Sequence, residues 1–163
     1  MLNYYPIASN VRLEKVLIVG AGAVAQRKAK SFLNAGALVK MVSPVVTAQV
    51  SRWAVSDIIV LVRRRVRRAD VSGARLVIAA TDDAAVNRQV SMWARQKGIP
   101  VNVVDCPELS DFISPAVFRS KRAILAVYTD GRDPVLSRDL KNFLKERWNE
   151  FIAYRNRLQR NAA

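Results

Sequence analysis

The sequence predicts an α/β protein, a doubly wound parallel sheet followed by a small antiparallel hairpin and a helix. Three observations carry this expectation. Short, largely apolar runs recur at residues 16–19, 38–42, 57–62, 75–80 and 100–104, the pattern of strands buried on both faces. Segments with apolar residues at helical spacing lie between them, and such alternation gives right-handed crossovers and a parallel sheet. The first run also passes directly into Gly20-Ala-Gly22-Ala-Val-Ala25 and then into a helical pattern.

Strand, glycine turn and helix in that order match the G-x-G-x-x-G/A fingerprint of dinucleotide binding, so the sheet is expected to be Rossmann-type. Gly20 allows the tight turn, Gly22 lets a pyrophosphate approach the backbone, and Ala25 lets helix and strand pack closely. The amides of Ala23 and Val24 then face the phosphates from a helix N-terminus. The helix covers 24–35 through Val24, the Lys28 stem, Ala29, Phe32 and Leu33, and Gly36 caps it. The second strand, 38–42, is closed by Ser43-Pro44. A carboxylate usually grips the adenosine ribose at this strand end. Here Ser43 stands instead, with no acid from Lys40 to Gln49. A serine can bond a ribose hydroxyl without repelling a 2′-phosphate, so the choice between NAD and NADP stays open.

A short helix follows over 47–54, then the strand 57–62 and the run Arg63-Arg-Arg-Val-Arg-Arg68. After the strand 75–80, Thr81-Asp82-Asp83 caps a helix through Val86, Val90, Trp93 and Ala94 that ends at Lys97-Gly98. The fifth strand, 100–104, terminates at Asp105. Beyond it, 112–118 and 122–127 read as two antiparallel strands joined by Arg119-Ser-Lys121. Asp133-Pro134 is a strong helix start. Leu136, Leu140, Phe143, Leu144, Trp148, Phe151 and Ile152 then form one stripe on a single long helix. Such a stripe points to self-association, with packing onto the sheet domain as the alternative. The expected domains are 1–111, binding the nucleotide, and 112–163, a dimerisation region.

With 163 residues and 51% hydrophobic side chains, the chain can bury one good core with a small appendage. Residues 1–10 lack a signal-peptide pattern, and no apolar run approaches the ~20 residues of a membrane span. The single cysteine, Cys106, excludes an internal disulfide and suits a reducing cytoplasm. The absence of histidine excludes histidine triads, histidine bases and the usual zinc ligand sets. A net charge of +14 favours an anionic partner. No aromatics interleave with Arg63–Arg68, no helix-turn-helix or zinc finger is visible, and the C-terminal cations read as a solvated face. Neither nucleic acid nor a membrane is therefore expected as partner.

Four motifs in register resemble one family. Gly20-Ala-Gly-Ala-Val-Ala-Gln-Arg-Lys-Ala29, Ile78-Ala-Ala-Thr-Asp-Asp83 with Val86-Asn87, Asn102-Val-Val-Asp105 and Phe112-Ile-Ser-Pro115 occur in order. Together they resemble the siroheme synthase N-terminal domain family, the precorrin-2 dehydrogenases, over residues 6–144. The resemblance implies a homodimer with a Rossmann domain and a dimerisation region. It implies removal of two hydrogens from precorrin-2, giving sirohydrochlorin and NADH, and in some members insertion of ferrous iron. It places cofactor contacts on Gly22, Ala23 and Val24, on Ser43, Pro44 and Val45, and on Ala80 and Thr81 near the nicotinamide. Its essential aspartate matches Asp105, at the carboxyl end of a parallel strand, where a carboxylate can take the proton left by hydride loss or guide a metal ion. The carboxylate rim of precorrin-2 would account for the basic charge. Arg132, with Thr129 before it, is a candidate ligand for one such carboxylate. The segment Tyr128-Thr-Asp-Gly-Arg-Asp133 departs from the small serines and glycines common in the family there. The chain also stops soon after the dimerisation helix, where the family generally continues with another helical segment. A nucleotide-sensing Rossmann domain without chemistry is the alternative function.

Overall fold

The computed structural model describes residues 4–104 and 106–161, and the chain divides into two compact units, Tyr5–Ile113 and the segment from Ser114 onward. The first unit runs β1 (Lys15–Val19), α1 (Ala23–Leu33), β2 (Leu38–Val42), α2 (Ala48–Val55), β3 (Val60–Val62), β4 (Leu76–Ala79), α3 (Ala84–Arg95) and β5 (Val101–Val103). All five strands are parallel, in the order β3-β2-β1-β4-β5. The chain winds outward from β1 to β3 and then returns to the other side of β1 for β4. Beyond the carboxyl ends of β1 and β4, the direction of winding reverses, and in open α/β sheets ligands bind there.

Alternation along each strand builds two cores. Val16, Ile18, Val39, Met41 and Ile78 face Ala25 and Ala29 of α1 and Val50 of α2. Leu17, Val19, Val42, Val77 and Val101 face Val90 and Ala94 of α3. Each fully buried aliphatic side chain contributes about 1.5–3 kcal/mol. Alanines at 25 and 29, both fully buried, let α1 lie close against the sheet. The expected cap residues behave as such: Thr47 accepts from the Val50 amide, and Asp83 from the amides of Ala85 and Val86.

The third strand is shorter than expected. Asp57 takes a left-handed backbone (φ 53°), so 57–59 form a turn, and only Val60–Val62 pair with β2.

Part of the arginine run is structural. The buried Asp70 carboxylate receives the Arg64 guanidinium through two bonds (2.7 and 2.9 Å), Lys40 Nζ at 3.0 Å and the Arg67 amide at 2.8 Å. Arg64 above all, then the Arg67 amide and Lys40, hold the carboxyl well below the usual carboxylate range, outweighing burial, which pushes it up. A depressed folded-state pKa adds stability that is complete above the unfolded value of about 4 and is lost as pH falls below it. Both cations remain about one-third exposed, so water screens part of the attraction. Asp70→Asn is expected to cost about 2–3 kcal/mol at pH 7, roughly 5–10 °C in melting temperature. Melting curves from pH 7 down to 3 should show the gap to wild type closing below about pH 4. A gap independent of pH would sink the assignment.

The second unit contains the antiparallel pair β6 (Ala116–Arg119) and β7 (Ile124–Val127), then α4 (Pro134–Glu146) and α5 (Trp148–Asn161). Two expectations are corrected. The strand foreseen at 112–118 begins only at Ala116: Pro115 has no amide to donate, and the Phe112 carbonyl instead accepts from Asn102 Nδ2 at 3.0 Å. The single long helix is two helices, broken at Arg147. Arg147 leaves helical geometry (φ −85°, ψ 1°), and Trp148 packs edge-on against Phe118 of β6 with centroids 5.5 Å apart. Anchoring that ring to the hairpin gives a tertiary reason for the break, which side-chain spacing does not report. Leu136, Leu140, Phe143 and Phe151 of the stripe stay substantially exposed. Among the described residues no helix is long and apolar enough to cross a membrane.

Candidate functional site

The carboxyl ends of the strands are laced together by backbone bonds. The Gly20 amide donates to Val42 O at 2.9 Å, Ala80 to Val19 O at 2.8 Å, Ser43 to Val62 O at 3.1 Å and Val104 to Ala79 O at 2.9 Å. These bonds align the turns after β1, β2, β4 and β5 along one rim, bringing together the cofactor residues expected from sequence.

Gly20 and Gly22 meet different demands. Gly20 has φ +103°, and a Cβ there would stand 2.2 Å from the Ala80 carbonyl oxygen, so the turns after β1 and β4 touch only because it has no side chain. Gly22 is the N-cap of α1 with an extended backbone (φ −74°, ψ −173°), and a Cβ there would meet nothing within 4 Å. Packing therefore does not require glycine at 22. The open space beside it fits a close-approaching phosphate, with Ala23 and Val24 opening the helix. No side chain caps this helix end, which leaves its first amides for an anion.

On the β2 side, Ser43 is buried and its hydroxyl donates to Val45 O at 2.6 Å, while Pro44 and Val45 are exposed. The hydroxyl hydrogen is thus engaged, and Ser43 can meet a ribose only as an acceptor. Thr47 ties this loop to the glycine turn: its amide donates to Ala21 O at 3.1 Å and its hydroxyl to Gln26 Oε1 at 2.7 Å. On the β4 side, Ala80 and Thr81 are partly buried. Asn87 clamps Thr81, accepting from its amide (3.1 Å) and hydroxyl (2.7 Å) and donating to its carbonyl at 2.9 Å. Sequence reasoning assigned Asn87 no role. Its place one turn after the Asp83 cap, facing back to the strand end, was the available signal.

The loop after β5 is closed by Ser110, whose buried hydroxyl accepts from the Val103 amide at 2.8 Å and donates to Cys106 O at 2.9 Å. Asp111 clasps the start of β5, donating its amide to Val101 O and accepting the Val101 amide on its carboxylate. Asp105, the expected acid/base and metal-guiding residue, lies outside the described residues. Among those described, no three of His, Cys, Asp and Glu gather as a metal site. In the second unit, the Thr129 hydroxyl joins Asp133 O and Ser137 Oγ at 2.8 Å each, a role in starting α4, and Arg132 is exposed.

A sheet of this order with a glycine turn at its switch point defines a Rossmann-type nucleotide-binding domain. Residues 7–116 match the family described as putative NAD(P)-binding. The chain belongs to that family, the N-terminal domain family of the siroheme synthases. It is 45% identical to the siroheme synthase of Methylococcus capsulatus, over 86% of this chain and 30% of that protein. To the siroheme synthase of Nitrosococcus oceani it is 37% identical, over 97% of this chain and 36% of that one. The chain thus spans about a third of the length of these curated relatives. Among solved structures it is similar to SirC, a precorrin-2 dehydrogenase, with a TM-score of 0.76 and 29% identity, over 88% of this chain and 70% of that one.

Proposed function

We propose that the protein catalyses NAD-dependent dehydrogenation of precorrin-2 to sirohydrochlorin, in sirohaem synthesis. The likeness to SirC, which runs beyond the nucleotide-binding unit, is the observation that carries this reading. The nicotinamide ring of bound NAD supplies the hydride acceptor. The chain's own residues do the rest. The open backbone at Gly22 and the amides of Ala23 and Val24 hold the pyrophosphate. Ser43, Pro44 and Val45 border the adenosine ribose, and Ala80 and Thr81, held by Asn87, border the nicotinamide. Asp105 accepts the proton that remains when hydride leaves the tetrapyrrole. Arg132, in the turn that Thr129 holds at the start of α4, meets a substrate carboxylate drawn in by a field of +14. The exposed stripe on α4 and α5 is the contact with a second copy, and the compartment is the cytoplasm.

An anaerobic absorbance assay with enzymatically generated precorrin-2 tests the reading. Sirohydrochlorin and NADH are expected to form in equal amounts, and ferrous iron added afterwards reads out metallation. Nucleotide binding without product would favour a non-catalytic sensor instead.

A further inference from the structure

In the turn after β4, one side chain on α3 engages every polar group of Thr81. Asn87 is buried, and its Oδ1 accepts from the Thr81 amide at 3.1 Å and from the Thr81 hydroxyl at 2.7 Å, while its Nδ2 donates to Thr81 O at 2.9 Å. The hydroxyl proton has a second acceptor in Asp83 O at 3.1 Å, and the Asp83 amide donates to the Thr81 hydroxyl oxygen at 3.3 Å. With two acceptors and one donor around it, the hydroxyl keeps its proton within the turn and has one lone pair left for a ligand. The neighbouring donor is spent as well, since the Ala80 amide is bonded to Val19 O at 2.8 Å. Ala80 and Thr81 therefore offer a ligand acceptors only. Asp82 and Asp83, both exposed, follow directly and add negative charge. Such a turn suits a neutral N–H donor and repels an anion. It also adjoins the glycine turn, because a Cβ at Gly20 would stand 2.2 Å from the Ala80 carbonyl oxygen. It lies on the side of β1 away from β2, where the second half of a dinucleotide falls.

We propose that Asn87 fixes the Thr81 hydroxyl as the acceptor for an amide N–H of the nicotinamide carboxamide, so that this turn selects the amide form of the dinucleotide over the acid form. The inference rests on the dinucleotide reading of the first unit and adds to it the pair of residues that reads the ring's substituent. Thr81 makes the contact, and Asn87 is a positioning residue that acts through it. In the acid form a carboxylate replaces the carboxamide. It has no proton to give the Thr81 oxygen and meets the charges of Asp82 and Asp83 as a like charge, so it is rejected on two counts.

Calorimetric titration of the full chain with NAD and with nicotinic acid adenine dinucleotide tests this directly. Wild type is expected to bind NAD about tenfold or more tighter than the acid form. Thr81→Val should cut that ratio by about threefold or more through weaker NAD binding, and what survives belongs to the two acids. Thr81→Ser keeps the hydroxyl and should keep the ratio. Asn87→Ala leaves the hydroxyl only Asp83 O as acceptor, so it should lower the ratio in the same direction but by less. Misfolding would weaken both nucleotides alike, since they share the pyrophosphate and the adenosine, so the ratio separates recognition from structure. Equal binding of the two nucleotides by wild type, or a ratio unchanged in Thr81→Val or in Asn87→Ala, would overturn the assignment and leave the dinucleotide site standing. Binding of neither nucleotide would overturn the dinucleotide reading and this assignment with it.

Discussion

Asp105→Asn is expected to lower kcat for precorrin-2 dehydrogenation about a hundredfold to ten-thousandfold, the range for losing a positioned proton-transfer group. The asparagine keeps the size and polarity of the side chain but cannot take a proton. NAD affinity should hold, since the cofactor residues lie on the turns after β1, β2 and β4, and Asp105 follows β5 in sequence. The effect should therefore fall on kcat with little change in the Kd for NAD. With no histidine in the chain, no imidazole stands in reserve. Equal turnover by the variant would remove Asp105 from the mechanism and leave the dehydrogenase reading intact. Loss of turnover together with loss of NAD binding would mean that Asp105 supports the fold of the site instead.

The second large effect separates the two glycines of the turn. Gly20→Ala should destabilise the protein by roughly 3–5 kcal/mol, combining a strained left-handed backbone with a clash against a carbonyl that belongs to the sheet itself. The Ala80 oxygen, 2.2 Å from the added Cβ, cannot retreat without pulling β4 from β1, because the Ala80 amide is bonded to Val19 O. Gly22→Ala should do the reverse. Its backbone is already in a region open to any residue and the methyl meets no protein atom, so stability should stay within about 0.5 kcal/mol. Its methyl would instead occupy the space for the pyrophosphate and weaken NAD by about tenfold or more. Thermal melts with calorimetry on both variants would check this. A stable Gly22→Ala that binds NAD normally would argue that no phosphate approaches this backbone.

The strand at 16–19 was legible because it is an uninterrupted apolar run and that at 38–42 because only Lys40 breaks its run, as strands largely buried on both faces require. The glycine turn was legible for a different reason: a tight turn and a close helix call for small residues at 20 and 25, and Gly22 between them completes the dinucleotide fingerprint. Caps such as Thr47 and Asp83 were readable from local chemistry. The break at Arg147 was not, because the apolar stripe continues through it, and Trp148 turns the chain only once it meets Phe118. The clamp of Asn87 on Thr81 joins a helix to a strand end. In sequence Asn87 shows only as a motif residue one turn after the Asp83 cap, with its partner unspecified.

The arginine run shows where the division falls. Sequence by itself determined that the chain is a Rossmann-type member of this family, since apolar runs, turn glycines and caps follow from backbone and burial rules that act locally. It also determined the charge, and so the preference for anionic ligands. Tertiary structure decided what individual charges do. Asp70, thirty residues from Lys40 and six from Arg64, gathers both in a buried cluster, while Arg63 is held by Ser51 at the rim beside Ser43. Adjacent arginines look alike in sequence. They differ because the end of β3 turns one toward a buried carboxylate and leaves the next at the surface, and only the pairing of β2 with β3 sets that direction.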